Sequence, residues 1–192
     1  MNIYEIMKTV DVDEKIMENV ALHIARGFDR GFAVLACGNG GSATHAQHLV
    51  AELVGRCFRD RDPLPAICLN SDIAVMTAIS NDYGYENVFA RQALAFVDIS
   101  SAIIGFSTSG KSANVVKAFN SVKGYPHIIR VAFVGGMNEE TPLAESATHV
   151  FHVKSDNTQF VQEMHQILIH EFVRIVEAEY KKIQQKAIEQ YF

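Results

Sequence analysis

His48 and Glu52 stand four residues apart in CGNGGSATHAQHLVAELVGR, residues 37–56. On a helix that spacing is one turn, ~6 Å along the axis, on a single face. An imidazole and a carboxylate so placed can meet at one metal ion or one substrate. His45 lies on nearly the same face one turn earlier. Taken alone, such a His/Glu pair is commonly a surface ion pair worth a few tenths of a kcal/mol. A second group changes the weighing. QEMHQILIH, residues 162–170, places Gln162, His165 and His170 on another helix-like stretch. Zinc takes three or four N, O or S ligands at about 2 Å, and two helices can supply them together. Gln162 and His170 are ~12 Å apart along an ideal helix and ~80° apart around it. Two inward-leaning side chains span that only when stretched, so His165 is the easier partner for Gln162. Spacing leaves both histidines open.

Two loops offer anion chemistry. CGNGGS follows the apolar run FAVLA, and its glycines let backbone amides approach a ligand. STSGKS, residues 107–112, gathers Ser107, Thr108, Ser109 and Ser112 before a helix-forming stretch. A phosphate monoester needs several donors, and amides at a helix start, helped by hydroxyls, supply them without a dedicated cation. The plainer reading is a Ser/Thr turn that caps a helix. GFSTSGKS also satisfies the G-x-x-x-x-G-K-S frame of a nucleotide-binding loop. That reading needs an aspartate at the end of another strand to hold magnesium, and of the strand ends AICLN, VAFVGG and HVFHVKSD only the last approaches an acid. Gly105 moreover falls inside an apolar run rather than after it.

The surrounding pattern must position these groups. Strand candidates are FAVLAC (32–37), AICLN (66–70), SAIIGF (101–106), HIIRVAFVGG (127–136) and THVFHVK (148–154). Helical patterns alternate with them: residues 13–28 with Ile16, Val20, Leu22, Ile24 and Phe28 as an apolar stripe, 42–56 with Ser42 as cap, and IAVMTAIS with Asp72 as cap. Further helices are expected at 86–97 and 112–122, and a long amphipathic one ends the pattern. Strands alternating with helices predict an α/β three-layer sandwich, a five-stranded parallel sheet flanked by helices with long terminal helices. One domain over 1–192 is expected, with a helical segment over about 1–30, a sheet core over about 31–155 and a C-terminal helix over about 158–186. In such sheets ligands sit at the carboxyl ends of strands, so both loops are expected on one edge, facing one crevice.

Of 192 residues, 48% are hydrophobic and 20% charged, and the net charge of −5 does not suggest a nucleic-acid surface. Cys37, Cys57 and Cys68 have no CxxC spacing and sit in or beside apolar runs, which points to free thiols in a reducing compartment. MNIYEIMKTVDVDEK lacks the apolar core of a signal peptide, and no stretch reaches the ~18 apolar residues of a membrane span. A cytoplasmic protein is expected.

The combination of CGNGGSATHAQHLVAELVGR, LPAICLNSD, AISNDYGYENVFARQ, FSTSGKSANV and VQEMHQILIH resembles the sugar isomerase (SIS) domain family, and within it the phosphoheptose isomerases, over about residues 30–180. The resemblance implies an enzyme that converts sedoheptulose 7-phosphate to D-glycero-D-manno-heptose 7-phosphate through an enediolate, for lipopolysaccharide or capsule precursors. It implies one zinc ion per subunit, held by His48, Glu52, Gln162 and His170, with Glu52 and His170 as the acid/base pair. Only by this analogy is His170 preferred to His165. It further implies substrate contacts from Asn39, Gly40, Gly41, Glu52, Arg56, Asn81, Asp82, Ser107, Thr108, Ser109, Ser112 and Gln162. The subunits are expected to form a homotetramer with sites at the interfaces. Two departures bear on the open end of the pocket. Phe160 stands where many relatives carry an arginine, and VGGMNEETPL is shorter and more acidic than usual. Two alternatives remain: isomerisation of another phosphosugar, and a non-catalytic module that binds a DnaA-like replication-initiation partner. The family's replication-initiation member resembles a version without the glutamate, so Glu52 favours the enzyme.

Overall fold

The structure, a computed structural model, describes residues 10–11 and 13–189, so residues 1–9 and 12 of the expected N-terminal helical segment lie outside the described residues. The elements are β1 (Val10–Asp11), α1 (Glu14–Asp29), β2 (Ala33–Gly38), α2 (Gly41–Val54), β3 (Ala66–Cys68), α3 (Ile73–Tyr83), α4 (Val88–Ala95), β4 (Ser100–Ser107), α5 (Ala113–Ser121), β5 (Ile129–Gly135), α6 (Pro142–Ser146), β6 (His149–Val153) and α7 (Thr158–Glu189). Their order in the sheet is β1-β6-β5-β4-β2-β3. The five strands β2 to β6 pair in parallel, as expected. The sequence pattern did not announce β1, a two-residue antiparallel strand that extends the edge along β6.

Strand alternation divides the core into two. On one face Val34, Ala36, Ala102, Ile104, Phe106, Val131 and Phe133 meet α1, α2 and α7; on the other Leu35, Cys37, Ile103, Ala132 and Val134 meet α4, α5 and α6. Every residue of β2 and β4 is buried, which is why these strands read as continuous apolar runs rather than alternating ones. Gly105 belongs to this packing. A Cβ there would come within 2.7 Å of Val115 and 2.8 Å of Phe119 on α5. Its place in the G-x-x-x-x-G-K-S frame is therefore a helix–sheet contact and not a phosphate turn.

Two local expectations need correction. The buried stripe of α1 is Met17, Val20, Ala21, Ile24 and Phe28, while Ile16 is exposed, because α1 packs along α7 through the turn-to-turn positions next to it. Ser42 does not cap α2. The cap is Gly40, at φ 57, a conformation that favours glycine, and Ser42 is buried inside the first turn. Asp72 does cap α3, accepting from the Val75 amide at 3.0 Å. The three cysteines are free, with Cys37 and Cys68 buried and Cys57 partly so. No helix among the described residues is long and apolar enough to cross a membrane.

After β2 the chain runs through α2 to β3 on one side, then returns to place β4 on β2's other side. The direction of the sheet order therefore switches between β2 and β4. Since α2 and α5 cover opposite faces, the ends of β2 and β4 open between them, where parallel sheets bind ligands.

Candidate active site

The loop after β2 and the loop after β4 meet at that switch. Asn39 and Asn114 exchange two side-chain hydrogen bonds, of 2.8 and 2.9 Å, and Tyr85 donates to Asn39 Oδ1 at 2.9 Å. The glycine turn is thus tied to the start of α5, and the expectation that both loops share one edge holds. Gly40 and Gly41 lie between Asn39 and α2. A Cβ on Gly41 would fall 2.3 Å from Gln162 Nε2, so α2 begins in contact with α7 only because this side chain is missing.

In the serine loop, Ser112 occupies the N-cap position of α5 but makes no capping hydrogen bond. Its hydroxyl instead lies 2.9 Å from that of Ser107, which is buried. The plainer reading of STSGKS as a capping turn fails on this point. The hydroxyl that would cap the helix is turned toward the loop interior. Thr108 is partly buried, Ser109 exposed, and Gly110 turns the chain at φ 65.

Helices α2 and α7 cross so that His48, Glu52 and His170 come together. Their potential ligand atoms all lie within 4.8 Å of one another. His48 Nε2 is 3.0 Å from His170 Nε2 and 3.5 Å from Glu52 Oε1. All three are partly exposed. In tetrahedral coordination with bonds near 2 Å, ligand atoms are about 3.3 Å apart, so this donor set fits a zinc-sized ion. Gln162 is placed two turns before His170, with its amide at Gly41. Gln166, which sequence reasoning did not single out, brings its amide nitrogen 3.5 Å from His170 Nε2. Its i, i−4 spacing from His170 was the signal available.

His165 belongs elsewhere. It is fully buried, its ring packed against His45, Phe106 and Phe133 at centroid distances of 5.9, 6.1 and 5.9 Å. Burial pushes its pKa down to about 3, with His45 and His152 adding to the shift. His45 is lowered too, by burial first and by His48 second. The ambiguity that spacing left is settled by helix rotation: His170 faces Glu52 and His165 faces the core.

The junction after α2 holds a further device that no local pattern announced. Arg61 donates to the carbonyls of Glu52 and Leu53, each at 2.8 Å, and pairs with Glu177 of α7 at 3.0 Å. Glu177, buried, also accepts from the amides of Cys57 and Phe58, each at 3.3 Å. The end of α2 is thereby fixed to α7. Beside it, burial and then the Glu52 carboxylate push the Cys57 thiol up to about 12. Arg56 is exposed and makes no hydrogen bond or ion pair among the described residues. Asn81 and Asp82 hydrogen-bond each other at 2.8 Å on the exposed side of α3, away from any contact with the cluster.

A cavity of about 510 Å³ opens beside His170, walled by Met17, Phe58, Ile167 and Ile175. Another of about 190 Å³ opens beside Thr108, Ser109 and Lys111. The two share no lining residue, and neither is lined by Asn39, Gly40 or Gly41.

Residues 2–135 match the SIS domain family. The chain belongs to the SIS-domain family. Its SIS-domain relatives include a protein of Roseiflexus named phosphoheptose isomerase, 41% identical over 88% of this chain and 85% of its own. Another of that name, from Helicobacter pylori, is 44% identical over 83% of this chain and 81% of its own. Among solved SIS-domain structures, a phosphoheptose isomerase from Francisella tularensis superposes with a TM-score of 0.77 at 28% identity, covering 90% of this chain and 89% of that one.

Proposed function

We propose that the protein is a phosphoheptose isomerase, an aldose–ketose isomerase that converts sedoheptulose 7-phosphate to D-glycero-D-manno-heptose 7-phosphate in the cytoplasm. The observation that carries this reading is the convergence of His48, Glu52 and His170 from α2 and α7, in a chain similar over most of its length to proteins of that name. Moving a carbonyl from C2 to C1 requires removal of a proton from C1, its return at C2, and proton transfer at the two oxygens. Glu52 takes the C1 proton and gives it back at C2 of the enediolate. His170 gives a proton to O2 and accepts the one leaving O1. Gln166, beside His170, keeps that ring oriented.

His48, Glu52, Gln162 and His170 hold the zinc ion of each subunit. Bound there, zinc supplies a positive charge that polarises a carbonyl oxygen. The hydroxyls of Ser107, Thr108, Ser109 and Ser112 bind the phosphate, with binding energy remote from the reacting carbons. Asn39, Gly40, Gly41, Arg56, Asn81 and Asp82 contact the sugar. Several of these come from a neighbouring subunit of a homotetramer. What supports this assembly is α3: it buries no residue in the protomer, exposes Ile73, and carries Asn81 and Asp82. Glu52 within the cluster favours catalysis over the non-catalytic alternative.

The deciding experiment is product identification by NMR with sedoheptulose 7-phosphate, for protein of known metal content and for Glu52→Gln. Turnover in the parent and a loss of about 10²–10⁴-fold in the variant are expected, with an unchanged circular dichroism spectrum. Near-normal turnover by the variant overturns the role of Glu52, and full activity of protein shown metal-free by elemental analysis overturns that of zinc.

A further inference from the structure

Between the glycine turn and the serine loop lies a side-chain network that the reaction chemistry does not use. A carboxamide oxygen accepts two hydrogen bonds and its nitrogen donates two, and the two ends of the group are told apart only by their partners. Here the backbone tells them apart. The amide of Val115, shared with Ser112 O at 3.1 Å, lies 3.0 Å from one side-chain atom of Asn114. An amide N–H only donates, so that atom is Oδ1. The other bonds follow from it. Asn39 Nδ2 donates to Asn114 Oδ1 at 2.8 Å, Asn114 Nδ2 donates to Asn39 Oδ1 at 2.9 Å, and the Tyr85 hydroxyl donates to Asn39 Oδ1 at 2.9 Å. Turning either amide end for end would set like groups against each other. Asn39 therefore has both acceptor places filled and a single N–H unspent, on a side chain that is partly exposed.

Fastening the turn does not account for all of this. Asn70, just past β3, already holds the end of β2: it donates to Gly38 O at 2.9 Å and accepts from Gly38 N at 3.3 Å. The two bonds between Asn39 and Asn114 tie the turn to the start of α5. Tyr85, from the turn after α3, adds nothing to that tie. What its hydroxyl does, on an exposed ring, is occupy the second lone pair of Asn39 Oδ1. Asn114 is buried in the first turn of α5, where asparagine is a poorer helix former than alanine or leucine and is costly to bury unless paired. Two residues are thus spent on the state of a third.

We propose that Asn114 and Tyr85 are positioning residues for the sugar that act through Asn39, holding its amide so that the substrate meets a donor there and no acceptor. The proposal rests on the isomerase reading, in which Asn39 contacts the sugar. An N–H held in this way receives a hydroxyl or carbonyl oxygen and offers nothing to a protonated amine. Asn39 stands outside the cluster of His48, Glu52 and His170. Its bond to the sugar is therefore made alike in the bound substrate and in the transition state, a uniform contribution that shows in KM rather than in kcat.

The test is steady-state kinetics of the full-length protein with sedoheptulose 7-phosphate, for Asn39→Ala, Asn114→Leu, Tyr85→Phe and the double variant Asn39→Ala/Asn114→Leu. KM is expected to rise about tenfold in Asn114→Leu and about threefold in Tyr85→Phe, with kcat unchanged. The double variant should be no worse than Asn39→Ala alone, because a residue that acts only through another adds nothing once that other is gone. Calorimetric affinity for inorganic phosphate should be the same in all four, since the serine hydroxyls are untouched. Losses that multiply in the double variant overturn the proposal, as does an unchanged KM in folded Asn114→Leu. A fall in phosphate affinity as large as the rise in KM makes the network a fastening for the serine loop and overturns it equally. If Asn114→Leu fails to fold, the exposed Tyr85→Phe decides by its own KM. Should the parent not turn the sugar over, the isomerase reading falls by itself. The same variants are then titrated with the alditol phosphate made by reducing sedoheptulose 7-phosphate, a ligand that cannot isomerise. The same order of affinities upholds the positioning role, and equal affinities or no binding by the parent end it.

Discussion

Helices α2 and α7 each carry two histidines, and they pair across the helix interface in two unlike ways. His45 meets His165 with rings 5.9 Å apart, deep against Phe106 and Phe133. His48 meets His170 with nitrogens 3.0 Å apart, partly exposed and beside Glu52. One residue type therefore does two jobs a single turn apart. The inner pair is apolar filling, held neutral by burial. The outer pair has a carboxylate, access to solvent and ring nitrogens aimed at a shared point. What separates a structural imidazole from a chemical one here is the company it keeps.

The comparison is broken most sharply by truncating one member of each pair. His170→Ala is expected to lower turnover about 10²–10⁴-fold and remove bound zinc, with little change in the urea midpoint. His165→Ala is expected to do the reverse. It should destabilise the protein by roughly 2–5 kcal/mol through the cavity left in a packed core, and retain metal by elemental analysis. Equal effects of the two changes on activity and on stability would erase the distinction.

Arg61→Ala sharpens it. Glu177 is buried, and removing its partly buried partner leaves that carboxylate uncompensated, at a cost of about 3 kcal/mol in a denaturant titration. The carbonyls of Glu52 and Leu53 lose their donor at the same time. Because this staple holds the end of α2 that bears Glu52, zinc affinity should also fall. The inner pair, nearer the start of α2, should be undisturbed. A variant as stable as the parent would show the staple to be dispensable.

The smallest effect is on pH. His165 titrates near 3 in the folded state and near its ordinary value when unfolded. Between those values the unfolded chain binds the additional proton, so stability falls as pH falls, by up to ~1.4 kcal/mol per unit below the ordinary histidine range. His45, lowered in the same direction, steepens the loss. Urea midpoints measured from pH 7 to 5 should decline in the parent and decline less in His165→Phe. A parallel decline in both proteins would mean that the inner ring is not held neutral.

Some of this was legible in the sequence. Continuous apolar runs such as FAVLAC gave buried parallel strands because both faces of β2 are covered. The i, i+4 spacing of His48 and Glu52 placed them on one side of a helix, as any regular helix must. Asp72 capped α3 as its type suggests. The Ser42 cap failed because the glycine turn starts α2 one residue earlier and turns that serine inward.

By itself, then, the sequence determined the alternation of elements, the glycine and serine turns at strand ends, and which side chains share a helical face. Those are consequences of local backbone geometry, and the 3.6-residue period carries them. The family resemblance already named His170, but spacing did not choose it over His165; tertiary structure shows why it joins Glu52, and alone decided that Gln166 flanks it and that Arg61 finds Glu177 across 116 positions. Such pairings depend on how far one helix is rotated and slid against another. Packing of whole faces sets that relation, and no spacing within either helix encodes it.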